Sequence, residues 1–396
     1  MIKIKKSVYK ILTFVLIFVV TMGVVTPVAS AVWRQDNVGW WWQYNTGGYA
    51  RGWLSVNGTW YYFNSSGYMQ TGWIYDGGTW YYLRPSGAMA TGWINDGGTW
   101  YFLRPNGAMA TGWINDRGTW YYLQPNGAMA TGWINDKGSW YFLKSNGAWT
   151  EGLPEWVINS NRLVAHAGGG FNGIQYLNTI EAVEYNYKRG QRVFEFDFSL
   201  TSDNVLVGKH HWGHRIYVNG APTLEVFLSN KVLGMYTPTK FDDIAWFLYH
   251  HPDAYLVTDK IFEYDDAAFQ YMIDTCLAID PAIMDRIIVQ VFSESGFYTV
   301  AKNYPQFDML YTLYVTDPSD ADIIRFVDET GLRVITMWDT RAHPTLVDQL
   351  KQRETVVFAH TVNSLDTFNA LRKMGVYGIY TDFIYFDGVS YYVHNS

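Results

Sequence analysis

Aromatic and apolar positions recur at a fixed interval of 20 residues along the first 150 residues of the chain. Gly-Trp pairs end at Trp53 and then at every twentieth residue up to Trp133, and a second tryptophan series runs from Trp60 to Trp140 in the same steps. Such self-similarity predicts a repeat architecture, in which each unit buries its apolar face against its neighbours.

Each repeat has the pattern of a β-hairpin. In residues 92–103, two strands rich in aromatic residues flank an Asp-Gly-Gly turn, where glycine permits the positive φ of a tight connection. One such hairpin is not stable alone, but stacked hairpins can share a core. The sequence therefore predicts a β-hairpin repeat solenoid over residues 32–152.

The pattern changes after a short linker predicted for residues 153–160. Apolar runs then alternate with helical stretches such as Thr179–Arg189 and Asp320–Thr330. Eight strand–helix units in residues 161–396 indicate an α/β fold, the (β/α)8 TIM barrel. The eight predicted strands are Leu163–Gly168, Val193–Thr201, Ala254–Lys260, Arg286–Ser293, Met309–Val315, Arg333–Trp338, Thr355–Val362 and Gly378–Phe383.

Residues 1–31 have the pattern of a secretory signal peptide. Four lysines precede an apolar run from Ile11 to Val25, and residues 29–31 are small, as cleavage requires. A membrane anchor is the alternative, but the run is shorter than the roughly 20 residues of a spanning helix. We therefore expect a secreted protein with no transmembrane span after cleavage.

Charge and cysteine content narrow the classes of function. The formal net charge is −7, and loss of the signal would remove four lysines and no acidic residue. An acidic protein lacks the basic footprint that nucleic-acid binding requires, so we expect no nucleic-acid partner. Cys276 is the single cysteine, so no intrachain disulfide can form, and the core, the repeats or a metal must stabilise the fold.

The aromatic residues of the repeats predict a binding site. Alternate residues on a strand share a face, so Trp60 and Tyr62 point one way and Tyr61 points the other. With a Gly-Trp tryptophan from a neighbouring strand they would form an aromatic box, and ring faces attract a weakly hydrated quaternary ammonium ion. Several weak sites in a row would gain affinity on a polymer that carries many choline groups.

Residues 39–152 resemble the choline-binding, cell-wall-binding repeat family in their Gly-Trp, Trp-Tyr-Tyr/Phe and Gly-Ala-Met-Ala-Thr-Gly-Trp pieces. The resemblance implies attachment to choline residues of teichoic and lipoteichoic acids at a bacterial cell surface, in association with the cell wall. Glucan is the rival ligand, and packing in a core is the alternative role for the aromatic residues, favoured for Tyr61 and Tyr81. The candidate choline-binding residues are Trp53, Trp60, Tyr62, Met69, Trp73, Trp80, Tyr82, Met89, Trp93, Trp100, Phe102, Met109, Trp113, Trp120, Tyr122, Met129, Trp133 and Trp140.

Acidic residues stand at the predicted C-terminal ends of two barrel strands. Glu195 and Asp197 are two apart on the second strand and so face the same side, and Asp259 lies at the end of the third. These strand ends converge on one mouth of a barrel, where three carboxylates would repel each other unless a divalent cation neutralised them. Oxygen ligands favour Ca²⁺ or Mg²⁺ as this cofactor.

Two histidines accompany the carboxylates. His166 closes the first strand and His210 lies in the loop after the second. Beside a metal-bound phosphate, one imidazole would take a proton from the attacking hydroxyl and the other would protonate the leaving oxygen. The pattern predicts phosphodiester cleavage and leaves open which histidine has which role. Further candidates for lining the mouth are Lys260, Gln290, Trp338 and His360.

The second domain resembles the glycerophosphodiester phosphodiesterase family, within the phosphatidylinositol phospholipase C-like barrels. The similar motifs are Leu163–Gly169, Asn178–Ala182, Phe194–Asp197, Asp203–His210, Thr361–Asn363 and Gly375–Asp382. The resemblance implies that His166 and His210 are the catalytic pair and that Glu195, Asp197 and Asp259 bind the metal.

Several motif positions differ from the family pattern. Ala167 replaces an arginine, Leu177 replaces a glutamate, and Asp259 replaces a glutamate. Ile261 stands where the family has a lysine, and the adjacent Lys260 would point to the other face of a regular strand. The sequence thus predicts a wall-anchored, metal-dependent enzyme that hydrolyses glycerophosphodiester-like bonds, and the alternative is a choline-anchored adhesin or scaffold whose barrel has lost activity.

Overall fold

The computed structural model describes residues 31–149, 151–212 and 220–394. All but the last residue of the predicted signal peptide lies outside these ranges. The chain divides between Ala110 and Thr111 into two compact units. Within the described ranges, no helix has both the length and the apolar character needed to cross a membrane.

Antiparallel hairpins form the described part of the first unit. Their strands are β1 (Val32–Gln35), β2 (Trp40–Gln43), β3 (Gly52–Val56), β4 (Thr59–Phe63), β5 (Gly72–Asp76), β6 (Thr79–Leu83), β7 (Gly92–Asp96) and β8 (Thr99–Leu103). Each strand pairs with its sequence neighbour, and Gly97 and Gly98 turn with φ of +59° and +88°. These positive values match a two-residue turn of the type that suits twisted strands.

Consecutive hairpins of the first unit pack through their aromatic rings. The ring of Trp73 meets that of Tyr101 in the next hairpin edge to face, with centroids 4.9 Å apart. Met89 packs against Gly107, where a Cβ atom would come within 2.3 Å of the Met89 sulfur. The glycine of each such turn therefore makes room for the methionine of the preceding repeat.

The second unit begins with two more hairpins and continues into a barrel with surrounding helices. The hairpin strands are β9 (Gly112–Asp116), β10 (Thr119–Leu123), β11 (Gly132–Asp136) and β12 (Ser139–Leu143). The later strands are β13 (Leu163–Ala165), β14 (Val193–Leu200), β15 (Leu206–Gly208), β16 (Tyr255–Asp259), β17 (Ile287–Val291), β18 (Asp308–Thr312), β19 (Val334–Trp338), β20 (Val356–His360), β21 (Gly378–Thr381), β22 (Ile384–Phe386) and β23 (Tyr391–Val393). The helices are α1 (Glu155–Asn159), α2 (Ile180–Lys188), α3 (Leu224–Ser229), α4 (Phe241–His250), α5 (Asp266–Ile279), α6 (Glu294–Asn303), α7 (Asp320–Thr330), α8 (Pro344–Lys351) and α9 (Leu365–Met374).

Eight parallel strands close into a barrel. Their order is β13, β21, β20, β19, β18, β17, β16 and β14, and the pairing of β13 with β14 completes the circle. The prediction of a TIM barrel is confirmed, and all eight predicted strands are present with ends shifted by a few residues. They were recognisable because strands covered on both faces are nearly continuous apolar runs.

Side chains inside the barrel change from apolar to polar along each strand. On β14, Val193 belongs to the buried interior cluster, and Glu195 and Asp197 follow on the same face. On β20, Phe358 of the same cluster is followed by His360. The N-terminal half of the interior is therefore a hydrophobic core, and the C-terminal half carries the polar residues.

Helix α1 lies in the segment expected to be a linker. Its Trp156 is buried, stacks on Phe358 with ring centroids 5.7 Å apart, and donates its indole N–H to Asp308 over 3.3 Å. Because Phe358 and Val157 belong to the interior cluster, this helix covers the apolar half of the barrel interior.

The last hairpin packs directly on the barrel. Trp133 on β11 is 8% exposed, packs against Phe297 of α6, and donates its indole N–H to the carbonyl of Phe307 over 3.0 Å. The neighbouring Gly132 has φ +72°, and a Cβ there would lie 2.2 Å from the carbonyl oxygen of Pro305. This close approach explains why the repeat and the barrel form one compact unit.

Candidate functional site

Three buried carboxylates meet at the C-terminal end of the barrel interior. Glu195 and Asp197 on β14 and Asp259 at the end of β16 each offer an oxygen, and these oxygens all lie within 4.8 Å of one another. The parallel register places Asp197 directly beside Asp259. The structure thus brings together all three acidic residues selected from the sequence.

The first loop of the barrel holds two of these carboxylates in place. The backbone N–H of Ala167 donates to Glu195 Oε2 over 2.7 Å. The Asn178 side chain donates to Asp197 Oδ2 over 2.8 Å, and its own oxygen accepts from the Asp197 backbone N–H over 2.9 Å. Both carboxylates are therefore fixed in direction by neutral donors, which leaves their negative charge available.

Burying three neighbouring carboxylates without a counter-ion is unfavourable in free energy. Burial, followed by the charges of Asp197 and Asp259, raises the pKa of Glu195 well above its usual value. Burial and then the charge of Asp259 raise the pKa of Asp197 to about 6. Such shifts mean that the three carboxylates together favour a bound cation or a proton.

A divalent metal ion fits the donor set. Among the described residues no donor reaches Glu195 Oε1, although this oxygen is buried. An anionic, all-oxygen set of this kind is suited to Mg²⁺ or Ca²⁺, which prefer carboxylate ligands. The acidic triad can therefore bind a metal ion through Glu195, Asp197 and Asp259.

His166 lies at this mouth in a fixed orientation. It follows β13, and its Nδ1 is 3.0 Å from Oδ1 of Asp382, just beyond β21. Asn363 donates to the other Asp382 oxygen over 2.7 Å, and the Tyr176 ring packs edge-on against the imidazole. With Nδ1 occupied, Nε2 is the nitrogen left for chemistry.

His210 reaches the same site from the loop after β15. Its Nε2 is 4.0 Å from Oδ1 of Asp197, and its side chain is 44% exposed. Its Nδ1 contacts the ring of His211. Partial burial, followed by the positive charge of Lys260, lowers the pKa of His210, so the ring is neutral at neutral pH.

Lys260 faces the carboxylates, contrary to the orientation expected for a regular strand. The strand ends at Asp259, and Lys260 adopts a left-handed φ of +63°. This conformation brings its ammonium group to 3.2 Å from Asp259 and 3.0 Å from the hydroxyl of Tyr314. A single residue with positive φ thus supplies a cation at the site.

The three remaining barrel candidates lie at different depths. Gln290 is buried on β17 and accepts a hydrogen bond from the Tyr380 hydroxyl over 3.4 Å. His360 is also buried, and burial lowers its pKa to about 4, so it stays neutral and does not serve as a proton carrier at neutral pH. Trp338 is exposed at the end of β19, with its ring 4.5 Å from that of His360.

In the repeats, aromatic residues from consecutive hairpins form cages. Trp73 and Trp80 of one hairpin have centroids 6.4 Å apart at 84°, and Tyr101 of the next hairpin packs 4.9 Å from Trp73. The backbone N–H of Met109 donates to the carbonyl of Trp80 over 2.8 Å, which adds this methionine to the group. Asp96 accepts from the indole of Trp73 over 3.0 Å and fixes its orientation.

The same arrangement recurs in both compact units. In the first unit, Trp53 packs 4.8 Å from Tyr81 and donates to Asp76. In the second unit, Trp113 packs 4.8 Å from Tyr141, and Trp149 takes the place of the methionine.

The other candidate repeat residues have supporting positions. Tyr62, Tyr82, Phe102 and Tyr122 pack edge to face on the Gly-Trp tryptophan of their own hairpin, with centroids 5.2–5.3 Å apart. Met69, Met89 and Met129 pack on turn glycines of the next repeat. Trp93 and Trp100 have the same mutual geometry as Trp73 and Trp80.

The last two candidates are covered by the barrel. Trp133 is buried, and Trp140 packs against Phe297 and Tyr298 with centroids 5.8 and 6.1 Å apart. These two tryptophans do not form cage walls, because rings of α6 cover the faces that would line a cage.

Several residues with a part in these sites were not among the candidates. Asn178 and Asn363 each hold a carboxylate, and Asp382 orients His166. The sequence signal for all three is their place in the motifs that resemble the phosphodiesterase family. In the repeats, packing is the role favoured from the sequence for Tyr81, which packs 4.8 Å from Trp53, and Tyr101 packs in the same way on Trp73. Both tyrosines also form cage walls. Trp33 and Trp40 form a further pair at the start, with Trp33 4.9 Å from Tyr61.

Comparison with known families agrees with both halves of this description. The choline-binding repeat family matches at residues 50–92, 90–131 and 110–151. The glycerophosphoryl diester phosphodiesterase family matches at residues 222–385, a range that includes Asp259 but begins after His166, Glu195, Asp197 and His210. No curated protein matches the chain.

Solved structures share parts of the chain. CbpJ from Streptococcus pneumoniae TIGR4 is 47% identical over 31% of this chain and 46% of its own, with a TM-score of 0.30. Choline binding protein F from the same species is 48% identical over 31% of this chain and 42% of its own, with a TM-score of 0.29. A putative glycerophosphoryl diester phosphodiesterase from Silicibacter pomeroyi DSS-3 is 19% identical over 58% of this chain and 91% of its own, with a TM-score of 0.45.

The chain spans less than half the length of the two pneumococcal proteins. The two family matches fall separately on the aromatic hairpin repeats and on the barrel. The protein therefore combines choline-binding repeats with a domain of the glycerophosphoryl diester phosphodiesterase family.

Proposed function

We propose that this protein is a secreted, metal-dependent phosphodiesterase that hydrolyses glycerophosphodiester-like bonds while its repeats hold it to choline-bearing teichoic acids of a cell wall. The observation that carries the proposal is the buried triad of Glu195, Asp197 and Asp259, which has two histidines at the same mouth. Among the described residues, one carboxylate oxygen of the triad has no partner. A phosphodiester is the substrate class that needs both a cation and two proton-transfer groups.

The triad would hold Mg²⁺ or Ca²⁺. When bound, the ion supplies positive charge to phosphate oxygens and offsets the charge that develops in the transition state. Lys260 adds a second positive charge on the Asp259 side. The backbone N–H of Ala167 and the amide of Asn178 keep Glu195 and Asp197 aimed at the same point.

The two histidines would divide the proton transfers. His210, with its lowered pKa, is neutral at neutral pH and can accept a proton from an attacking water, whose oxygen bonds to phosphorus as the bond to the leaving oxygen breaks. His166, oriented by Asp382 through Nδ1, would present its Nε2 to the leaving oxygen and donate the proton there. This is our proposed assignment of the two roles that the sequence leaves open.

The enzyme proposal is tested by turnover of bis(p-nitrophenyl) phosphate by the full chain, with Mg²⁺, with Ca²⁺ and with a chelator. We expect metal-dependent release of nitrophenol, and we expect His166→Ala and Glu195→Gln to lose 100-fold or more, on the order of what a positioned acid or base supplies. The matched control is His250→Ala on the exposed end of α4, which should keep full activity.

Absence of turnover on any diester, together with absence of bound metal, would instead support a choline-anchored scaffold. That second function is favoured by Ala167 and Leu177, which replace the arginine and glutamate of the family pattern. Leu177 packs in an apolar cluster with Ala182 and Tyr236, so an apolar side chain stands where the family pattern has the glutamate.

The tether is tested separately. We expect the protein to be retained on a choline-like resin and released by free choline, because the cages are walled by electron-rich rings. Release by soluble glucan and not by choline would assign the repeats to the rival ligand. Trp133 and Trp140 are left out of the proposed choline sites because barrel residues cover them.

A further inference from the structure

A cavity opens beside the acidic site, where the loops after β18 and β19 meet. It has a volume of about 250 Å³ and is lined by Leu313, Tyr314, Asp317, Trp338, Thr340 and Arg341. Tyr314 belongs to both places, because its hydroxyl donates to Asp259 over 2.8 Å while its side chain forms a wall of the cavity. One substrate could therefore place its phosphate at the carboxylates and another of its groups in the cavity.

Two aromatic rings form the walls of this cavity. The rings of Tyr314 and Trp338 have centroids 5.9 Å apart at an angle of 51°. Trp338 is 51% exposed, although it ends a strand whose other residues are buried, and His360 supports it from behind. An exposed tryptophan that other rings hold in place presents a fixed π-face, which attracts cations.

The charges around the cavity favour a cation over an anion. Arg341 is already paired with Asp320 over 2.6 Å and with Asp317 over 3.3 Å. Arg341 is thereby neutralised. His343 also contacts Asp320 over 2.9 Å, and the Lys260 ammonium lies over the Tyr314 ring, 4.9 Å from its centroid. Asp317, whose side chain is 78% exposed, is the lining carboxylate that a ligand in the cavity would meet. A phosphate or carboxylate in the cavity would meet Asp317, whereas a cation would be attracted by it.

Among cations, the walls suit one without hydrogen-bond donors. The rings of Tyr314 and Trp338 offer apolar contact. A primary ammonium would lose strong hydration there, but a trimethylammonium group is weakly hydrated and fills apolar space.

We propose that this cavity is a subsite for the trimethylammonium group of a choline-bearing phosphodiester, so that choline diesters are the preferred substrates of the barrel. The proposal rests on the phosphodiesterase function proposed above. Trp338 and Tyr314 are the specificity-determining walls, and Asp317 supplies the negative charge. The choline group can come from a small diester such as glycerophosphocholine or from the wall polymer itself.

The kinetic test compares glycerophosphocholine with its neutral isostere, in which a 3,3-dimethylbutyl group replaces choline. For the full chain we expect kcat/KM to be about tenfold higher for the charged substrate, as a desolvated cation–π contact provides. Trp338→Ala should remove this preference, so that kcat/KM becomes equal for the charged and the neutral substrate. Trp246→Ala on α4 is the matched control, since Trp246 is 49% exposed and should have no effect on either substrate.

The same variants, assayed on choline-decorated teichoic acid, identify the source of the choline group. If Trp338→Ala loses activity on either choline substrate, the subsite is supported. The substrate on which activity is lost shows whether the choline group comes from the small diester or from the wall polymer. Equal kcat/KM for the charged and neutral diesters, unchanged by Trp338→Ala on both choline substrates, would overturn the proposal while leaving the phosphodiesterase function intact.

A binding measurement keeps the subsite testable even if the chain hydrolyses nothing. In full chain labelled with 5-fluorotryptophan, the fluorine signal of Trp338 is assigned by its loss in Trp338→Phe. Added tetramethylammonium should shift this signal saturably, and neutral 3,3-dimethylbutanol should not. The repeat tryptophans serve as an internal positive control. If their signals move and that of Trp338 does not, the cavity does not bind this cation.

Discussion

The Nδ1 atom of His166 lies 3.0 Å from the carboxylate of Asp382, and this contact joins the first and last strands of the barrel at the mouth. Asn363 holds the other oxygen of Asp382 over 2.7 Å. The histidine is thus oriented by a carboxylate that is itself held in place, an arrangement that leaves Nε2 as the ring nitrogen turned away from Asp382.

Replacing Asp382 with asparagine should disturb this orientation without changing the size of the side chain. We expect kcat to fall about 100-fold or more with KM nearly unchanged, because the imidazole would adopt the wrong tautomer for part of the time. Steady-state kinetics on a chromogenic diester from pH 5 to 9 measures the effect. Asp328→Asn, which removes only an exposed ion pair with Arg353, is the control.

Metal binding should weaken steeply below about pH 6. The pKa of Asp197 is raised to about 6 and that of Glu195 is raised well above its usual value, both mainly by burial, so a metal must displace protons at low pH. Titration calorimetry with Mg²⁺ at several pH values should show the dissociation constant rising about tenfold per pH unit below pH 6. A flat profile would contradict the role of these carboxylates as ligands.

The metal-free protein should gain stability from this site on acidification. The folded state binds protons at Glu195 and Asp197 that the unfolded chain releases, so their contribution to the free energy of unfolding is lost as pH rises through about 6. We expect Mg²⁺ to raise Tm more at pH 7.5 than at pH 5. In Glu195→Gln the Mg²⁺-dependent rise should largely disappear, and an unchanged rise would place the metal elsewhere.

Removing the Lys260 ammonium should affect metal binding and turnover in opposite directions. The ammonium lies 3.2 Å from Asp259, so Lys260→Met should strengthen Mg²⁺ binding about threefold to tenfold by removing a competing charge. Turnover should fall at least tenfold, since the variant loses a positive charge near the substrate phosphate. Calorimetry and kinetics on the same preparation measure both effects, and a fall in metal affinity would show that Lys260 instead positions Asp259.

Removing one cage tryptophan should remove one choline site. Trp73→Ala leaves Tyr101 and Trp80 without the ring that joins them, so the number of sites per chain measured calorimetrically with choline should fall by one. Weaker retention on a choline resin should accompany this loss, because the affinity of the repeats is multivalent. Unchanged stoichiometry would locate the choline sites on other faces of the hairpins.

Trp133→Ala should destabilise the second unit and leave the number of choline sites unchanged. The side chain is 8% exposed and makes a hydrogen bond to Phe307, so we expect a loss of about 3–5 kcal/mol in the free energy of unfolding. Urea unfolding followed by near-UV circular dichroism measures it. The comparison with Trp73→Ala, a Gly-Trp tryptophan of an earlier repeat, separates a packing role from a binding role.

The sequence predicted the parts of this protein that depend on periodic patterns. The eight barrel strands are recognisable as buried apolar runs, and Glu195 and Asp197 share a face because side chains alternate along a strand. The direction of Lys260 was not predictable, because it depends on one left-handed residue at the end of a strand. The role of Asp382 depends on the closure of the barrel, which brings residues more than 200 positions apart into contact.

The burial of Trp133 against the barrel could not be predicted from the sequence, for a different reason. Its strand, Gly132–Asp136, has the same five residues as Gly92–Asp96 and Gly112–Asp116. The tertiary contact with Phe297 and Phe307 distinguishes the environment of Trp133 from theirs. Identical local sequence can thus serve two purposes, and the neighbour that covers it decides which.

That contact limits how this protein can lengthen during evolution. A duplicated unit inserted after β12 would separate the hairpin of Trp133 from α6 and expose rings on both sides. A unit duplicated before β9 would leave the contact intact. Variation in repeat number among descendants of this gene should therefore be confined to the N-terminal side, with the final hairpin inherited together with the barrel.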